Sequence, residues 1–394
     1  MIETDSKGTS NMTDINIGFI PLIDCAPFVI AKEKGFFDFQ SVNVTLHKEA
    51  SWASIRDKVA YNLLDGAHML ATMPIAATLG VGAIKAPMQT SFTVSQNGNG
   101  ITVSNLLYRK MSGYAKHAAE IRDGTALRRL LTDNPKQTIR FASVFPYSSH
   151  TYQLRDWLSR AGIDGDKDVQ ILVIPPTKMI SHLANGEIDG YCVGEPWNSL
   201  AVKQGVGHML MTGYDLWGST PEKVFAVNDQ WQQDNQDTHL QLIKALHQAC
   251  AWVDDGENQE ELLSILAKPS YLNCDPDALR YGFNAIKPAG DFAWPKEAYQ
   301  KFSGAKVNCP NPDYALWLIS QMVRWQELGY EFDVTQVINQ VCRQDLYYKA
   351  LGLAAIQPDH FYSGASFDKQ KWYDSALAGV MTIHPEGLEK GLIY

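Results

Sequence analysis

The sequence predicts an α/β protein of two lobes with a ligand cleft between them and a helical C-terminal region. Three observations predict it. The first half alternates short apolar runs with helix-length segments, the βαβα rhythm of a mainly parallel sheet covered by helices. A glycine-rich break, QNGNG at 96–100, separates two extended stretches. From Asp237 onward the pattern is mostly helical. At 394 residues the chain exceeds one ordinary core.

Taken in order, INIGFI reads as a strand, and APFVIAKEKGFF as a helix stopped near Gly35, where a positive φ ends it. VNVTLH alternates as a strand does. SWASIRDKVAYNLLDG reads as a helix with Ser51 or Ser54 at its start and Gly66 at its end. AHMLAT is strand-like, and Pro74 suits the first turn of the next helix. Beyond QNGNG a second series follows: TIRFASVF, a helix from Ser148, VQILVIPP, a helix from Thr177, DGYCVG, a helix from Pro196, and GHMLMTG. KVFAVNDQW reads as a strand returning to the first lobe. The expected division is residues 15–98 for lobe 1, 99–221 for lobe 2, and 222–394 for the completion of lobe 1 with the C-terminal helices. Two such lobes joined by two crossings leave a cleft outside the carboxyl ends of their strands, where open α/β sheets take ligands.

Composition narrows the function. Net charge is −9 and the pI near 5.6, which argues against a strongly nucleic-acid-binding surface. No apolar run reaches the roughly 18–20 residues of a membrane helix. The polar N-terminal stretch has no basic n-region, apolar h-region or small-residue cleavage site, so a cytoplasmic location is expected. The six cysteines never form CxxC and read as reduced thiols.

Enzyme signatures are missing: no GxSxG, no phosphate-binding GxxxxGK[ST], no HExxH. Ser148, Ser149 and His150 stand together without a third group to orient them, so the expectation is a protein that is not an enzyme and needs no cofactor or metal. Candidate ligand residues sit instead where strands give way to helices. Trp52 offers an indole N–H and an aromatic wall. His150 falls in the first turn of a helix, whose N-terminus favours an anion. Lys223 stands at the entry to the returning strand, and Pro175 and Pro176 stiffen one rim of the cleft.

Together the segments IGFIPLIDCAPFVIAKEKGFF, SWASIRDKV, DGAHMLATMPIAATLG, NGNGITVSN, FPYSSHTYQLRDWLSRAGID, DGYCVGEPWN and TPEKVF resemble the nitrate- and bicarbonate-binding family of NrtA and CmpA. They run in order from about residue 15 to 230. The resemblance implies the type II periplasmic-binding-protein fold and a small oxyanion held between the lobes. Carried over by motif, it makes Trp52 the tryptophan beside nitrate, His150 a donor, Lys223 the countercharge and Pro176 the rim proline. It also implies an amide donor before GITVS, which Asn99 matches best and Gln96 next. Nitrate cannot donate a hydrogen bond, so the expected pocket offers donors only. No acidic set stands out for bicarbonate with calcium, which favours nitrate or nitrite.

Within that family the absent leader points to the cytoplasmic sensor branch typified by NasS. The resemblance then implies a partner like NasT, an RNA-binding antiterminator of the ANTAR type, held without the anion and released with it, so that the chain itself binds no nucleic acid and inserts in no membrane. The alternative is the exported solute-binding component of a nitrate or bicarbonate ABC transporter. A third class, an enzyme such as a thiamine-precursor synthase on the same fold, would need a reactive histidine and a cofactor pocket.

Overall fold

The computed structural model describes residues 12–82, 85–284, 300–354, 367–383 and 392–393. The first eleven residues, on which the expected location rests in part, lie outside them.

Two five-stranded sheets form the two lobes. The first has the order β2-β1-β3-β10-β4, from β1 (Thr13–Phe19), β2 (Val42–Lys48), β3 (Gly66–Leu70), β4 (Met88–Gln96) and β10 (Pro221–Asn228). The second has the order β7-β6-β8-β5-β9, from β5 (Asn99–Ser104), β6 (Arg140–Ser143), β7 (Gln170–Val173), β8 (Gly190–Gly194) and β9 (Gly207–Thr212). The expectation of mainly parallel sheets gives way to mixed ones. β1 runs parallel to β2 and β3, but β10 is antiparallel to both β3 and β4. β5 is likewise antiparallel to β8 and β9. The strands beside each crossing enter from the other lobe, so no right-handed βα unit sets their direction.

The chain leaves the first sheet after Gln96 and enters the second at Asn99. Asn97 and Gly98 make this turn at φ of 62° and 95°, a left-handed path that asparagine and glycine tolerate. The return passes Thr220, whose carbonyl accepts from Asn97 N at 3.0 Å and whose N donates to Asn97 Oδ1 at 3.2 Å. The two crossings are thus tied to each other.

Local signals explain most helix boundaries. Helix α1 (Ala26–Glu33) is followed by Gly35 at φ 72°. Helix α2 (Trp52–Ala60) is capped by Ser51, whose side chain accepts from Ser54 N. It ends well before Gly66, which instead opens β3; Leu63 and Leu64 fold back onto the Lys58 carbonyl, and Asn62 turns at φ 54°. Helix α3 (Thr72–Leu79) carries Pro74 in its first turn. Helix α4 (Ser149–Arg160) has Ser148 as its cap. Helix α5 (Trp197–Lys203) follows Pro196, and the segment after β7 starts as a short 3-10 turn, Pro176–Lys178.

The long helix α6 (Gln236–Asp254) packs on α1 and buries Leu242, Ile243, Leu246 and Cys250 against Phe28 and Phe225. Each such large side chain taken out of water contributes about 1.5–3 kcal/mol. Helix α7 (Pro312–Arg324) does more than complete lobe 1. It packs on α3 of lobe 1, while at its far end Arg324 Nη1 meets Asp156 Oδ1 of α4 at 2.9 Å. Just beyond it Glu327 Oε2 accepts from Tyr152 of the same lobe-2 helix at 2.6 Å. The VTQVINQVCRQDLYYKAL stretch forms two helices, Val334–Val341 and Gln344–Leu351, broken at Cys342 and Arg343. No described helix is long and apolar enough to cross a membrane. The six cysteines are all free.

Candidate functional site

β10 opens with Pro221, Glu222 and Lys223. Adjacent strand residues ordinarily face opposite sides of a sheet. Here the register against β4 shifts between Pro221 and Lys223 and again between Lys223 and Val224. A bulge of this kind re-aims side chains, and Glu222 Oε1 comes to lie 2.9 Å from Lys223 Nζ.

Four more elements close around this pair. The 3-10 turn Ile23–Cys25 after β1 brings Asp24 Oδ2 to 3.0 Å from Lys223 Nζ. β3 contributes His68, whose Nε2 is 2.9 Å from Asp24 Oδ1, close in distance but off the hydrogen-bonding direction. The Trp52 ring from the start of α2 lies 5.4 Å from the His68 ring and 5.8 Å from Lys223 Nζ, a cation–π distance. From lobe 2, the cap at Ser148 fixes the first turn of α4 and presents two donors. Ser149 Oγ donates to Glu222 Oε1 at 2.6 Å, and His150 Nε2 lies 3.0 Å from the same oxygen. Asp24, His68, His150 and Lys223 are all 0% exposed.

Charge balance follows from burial. Burial alone would push the Lys223 ammonium down; Asp24 and Glu222 outweigh it and hold its pKa above the usual lysine value. Burial would raise the Asp24 and Glu222 carboxyls, but the Lys223 ammonium, joined at Glu222 by hydrogen bonds from His150 and Ser149, keeps both below the carboxylate range. Burial first, and Lys223 second for His150, push both imidazoles down, so each is neutral. A neutral His150 with Nε2–H donating to Glu222 leaves Nδ1 as an acceptor, and the 3.4 Å between Nε2 and Lys223 Nζ brings two donors together rather than forming a bond. Among the described residues Trp52 Nε1 and His150 Nδ1 have no hydrogen-bond partner, and an indole N–H buried in this way is costly unless something accepts from it.

The structure therefore brings Trp52, His150 and Lys223 together. Asn99 stands close by: a Cβ built on Gly194 of β8 would lie 3.5 Å from Asn99 Oδ1 and 3.7 Å from Asp24 Oδ2. Its Nδ2 donates to Gln153 Oε1 at 3.0 Å, while Oδ1 has no partner among the described residues. Gln96 points elsewhere, donating to the Lys306 carbonyl at 2.9 Å. Pro176 lies at the carboxyl edge of the second sheet, after the outermost strand β7 and beside the end of β6 that leads to Ser148.

Sequence reasoning missed Asp24, His68 and Glu222. The expected lining of donors alone does not hold, because a fully buried ammonium requires counterions. Asp24 carried a signal, a lone acid within the apolar run IPLIDCAPF, and His68 another, a lone histidine in a buried strand.

The same chain, compared with known proteins, matches the family model described as NMT1-like over residues 8–267. The chain belongs to the NMT1-like family. The nitrate/nitrite binding protein NrtA of Synechocystis is 30% identical over 396 residues, covering 97% of this chain and 84% of that one. The nitrate import ATP-binding protein NrtC of Synechocystis is 38% identical over 365 residues, 90% of this chain and 53% of that one. The bicarbonate transport ATP-binding protein CmpC of Synechococcus elongatus is 34% identical over 380 residues, 94% of this chain and 55% of that one. The chain thus spans about half the length of NrtC and CmpC. The crystal structure of the periplasmic nitrate-binding protein NrtA from Synechocystis superposes with a TM-score of 0.82 at 28% identity, covering 93% of this chain and 98% of that one. This NMT1-like chain accordingly has the two-lobed periplasmic-binding-protein fold.

Proposed function

We propose that this protein binds nitrate or nitrite between its lobes and does no chemistry on it. Trp52, His150 and Lys223 form the core of the site, with Asn99 beside Asp24, Pro176 on the rim, and Gln96 as the alternative amide. One observation carries the reading: indole, imidazole and ammonium nitrogens from both lobes converge in one buried cluster around Lys223. Charge-assisted bonds to an anion contribute roughly 1.5–3 kcal/mol each. Isothermal titration with nitrate, nitrite, sulfate and phosphate tests it. Saturable one-to-one heat with the first two alone is the expected result, and heat with none of them overturns it.

The finer proposal is regulatory. The ligand-free form holds an antiterminator of the NasT type and the anion-bound form releases it, the anion acting through its differential affinity for the two forms. The acidic net charge of −9 suits a basic, RNA-binding partner. The second reading, a component of a nitrate or bicarbonate ABC transporter, is favoured by the likeness to the nitrate import protein NrtC and the bicarbonate transport protein CmpC. Fractionation of cells expressing the native gene, with pull-down of the chain with and without nitrate, separates the two. A small RNA-binding protein lost on adding nitrate supports the regulatory use; a periplasmic chain that captures a permease supports transport.

A further inference from the structure

Three donors meet on a single oxygen. Glu222 Oε1 accepts from Ser149 Oγ at 2.6 Å, lies 3.0 Å from His150 Nε2, and takes Lys223 Nζ at 2.9 Å. These are the types of group that would hold an oxyanion, and here they hold a carboxylate of the chain itself. Glu222 belongs to β10 of lobe 1; Ser149 and His150 belong to α4 of lobe 2. The contact therefore spans the cleft.

We propose that Glu222 is a tethered internal anion: it occupies the donors that receive the anionic ligand, holds the lobes together without that ligand, and is displaced when the ligand enters. The proposal rests on the nitrate or nitrite reading for the identity of the ligand.

Stoichiometry of donors supports it. A neutral imidazole has one N–H, and that of His150 is spent on Glu222. His150 can give it to another anion only by releasing the carboxylate. Charge supports it as well. With Asp24 and Glu222 ionised and Lys223 protonated, the cluster carries one net negative charge while both histidines are neutral. A second anion arriving beside Glu222 meets a like charge in a site buried from solvent. With Glu222 swung out, Lys223 keeps Asp24 at 3.0 Å, and the remaining site is neutral. The backbone allows this motion to be local: the Glu222 carbonyl accepts from Ala71 N at 3.1 Å and anchors the strand, while the side chain leaves from a bulge.

Two variants test the idea. E222Q keeps the shape and removes the charge. E222D keeps the charge and draws it back from the donors by one methylene, which separates occupancy from mere electrostatics. Titration with sodium nitrate at fixed ionic strength is expected to show tighter binding in both, by about tenfold for E222Q, the worth of one good hydrogen bond. X-ray scattering of the ligand-free variants is expected to give a larger radius of gyration than the parent, falling to the parent's on adding nitrate. Equal or weaker nitrate binding in both variants overturns the proposal, as does an unchanged ligand-free radius. If parent and variants are all silent to nitrate, the nitrate reading falls, and scattering alone decides: expansion upholds the internal anion, and no expansion ends it. Should E222Q fail to fold, E222D carries both measurements.

Discussion

Lys223 Nζ stands 3.0 Å from Asp24 Oδ2, and neither side chain meets solvent. The turn that follows β1 and the strand that returns from lobe 2 are thereby joined by a buried ion pair. Removing one partner of such a pair leaves the other charge stranded, which typically costs about 3–5 kcal/mol.

Lys223→Met is accordingly expected to abolish nitrate binding and to lower stability by about 3–5 kcal/mol, measured by urea unfolding. Lys223→Met combined with Glu222→Gln and Asp24→Asn should recover much of the stability and none of the binding. A double loss in the triple variant would show that the cost lies in packing rather than charge.

Trp52→Phe keeps an aromatic wall against His68 and deletes the unpartnered indole N–H. Nitrate affinity should fall by about 1–1.5 kcal/mol, some five- to tenfold, with little change in unfolding midpoint. Unaltered affinity would remove Trp52 from the donor set.

His239 lies between the rings of Phe225 and Trp231, with centroids at 5.8 and 6.0 Å, and neither ring nitrogen has a partner among the described residues. Burial first, then Arg343, push its pKa down to about 3. The unfolded chain takes up this proton near pH 6.5. Stability from His239 is fully present above pH 6.5 and is lost as pH falls toward 3, at about 1.4 kcal/mol per pH unit. His239→Met should flatten the stability profile between pH 6 and 4 by about that slope in urea titrations.

Glu195 behaves oppositely. Burial raises its carboxyl to about 7, against the hydrogen bonds from Ser199. The unfolded carboxyl ionises near 4.3, so its contribution is present in acid and lost as pH rises through 7. Glu195→Gln should therefore gain about 3–4 kcal/mol over the parent at pH 8 and nothing at pH 4. The Ser199 N–H, now 3.1 Å from Glu195 Oε2, finds an amide oxygen in the variant.

Thiol chemistry gives a direct check of the cores. Cys25, Cys192 and Cys250 are buried, and burial pushes their thiols well up. Ellman's reagent at pH 8 should leave these three unmodified in the native protein and find all six after denaturation.

Much of this arrangement was legible in the sequence. Ser51, Ser148 and Gly35 act locally, so caps and stops were readable from a few neighbouring residues. QNGNG was readable as a crossing because its conformation needs asparagine and glycine. Trp52, His150 and Lys223 were readable through the motifs around them. Glu222 was hidden because alternation places it opposite Lys223, and the bulge that overrules alternation arises from pairing with β4, far away in sequence. Gln96 was ambiguous for a similar reason: what turns it from the cleft is the carbonyl of Lys306, which the fold alone brings near. The antiparallel strands at the crossings also depend on which lobe each strand enters from, and no local pattern encodes that.

Each strand of the two five-stranded sheets finds its ladder partners within its own sheet, and among the described residues the backbone passes between those sheets only at residues 96–99 and 212–221. Rotating one lobe against the other breaks no ladder. That rotation is resisted where the lobes touch, by polar contacts such as Glu222 with Ser149 and His150, Arg324 with Asp156 and Tyr152 with Glu327, and by apolar packing such as Trp217 against Trp317 at 5.4 Å. The molecule is continuous within each sheet and jointed at its seam, so a substitution at the seam can shift the balance between open and closed forms while leaving both sheets intact.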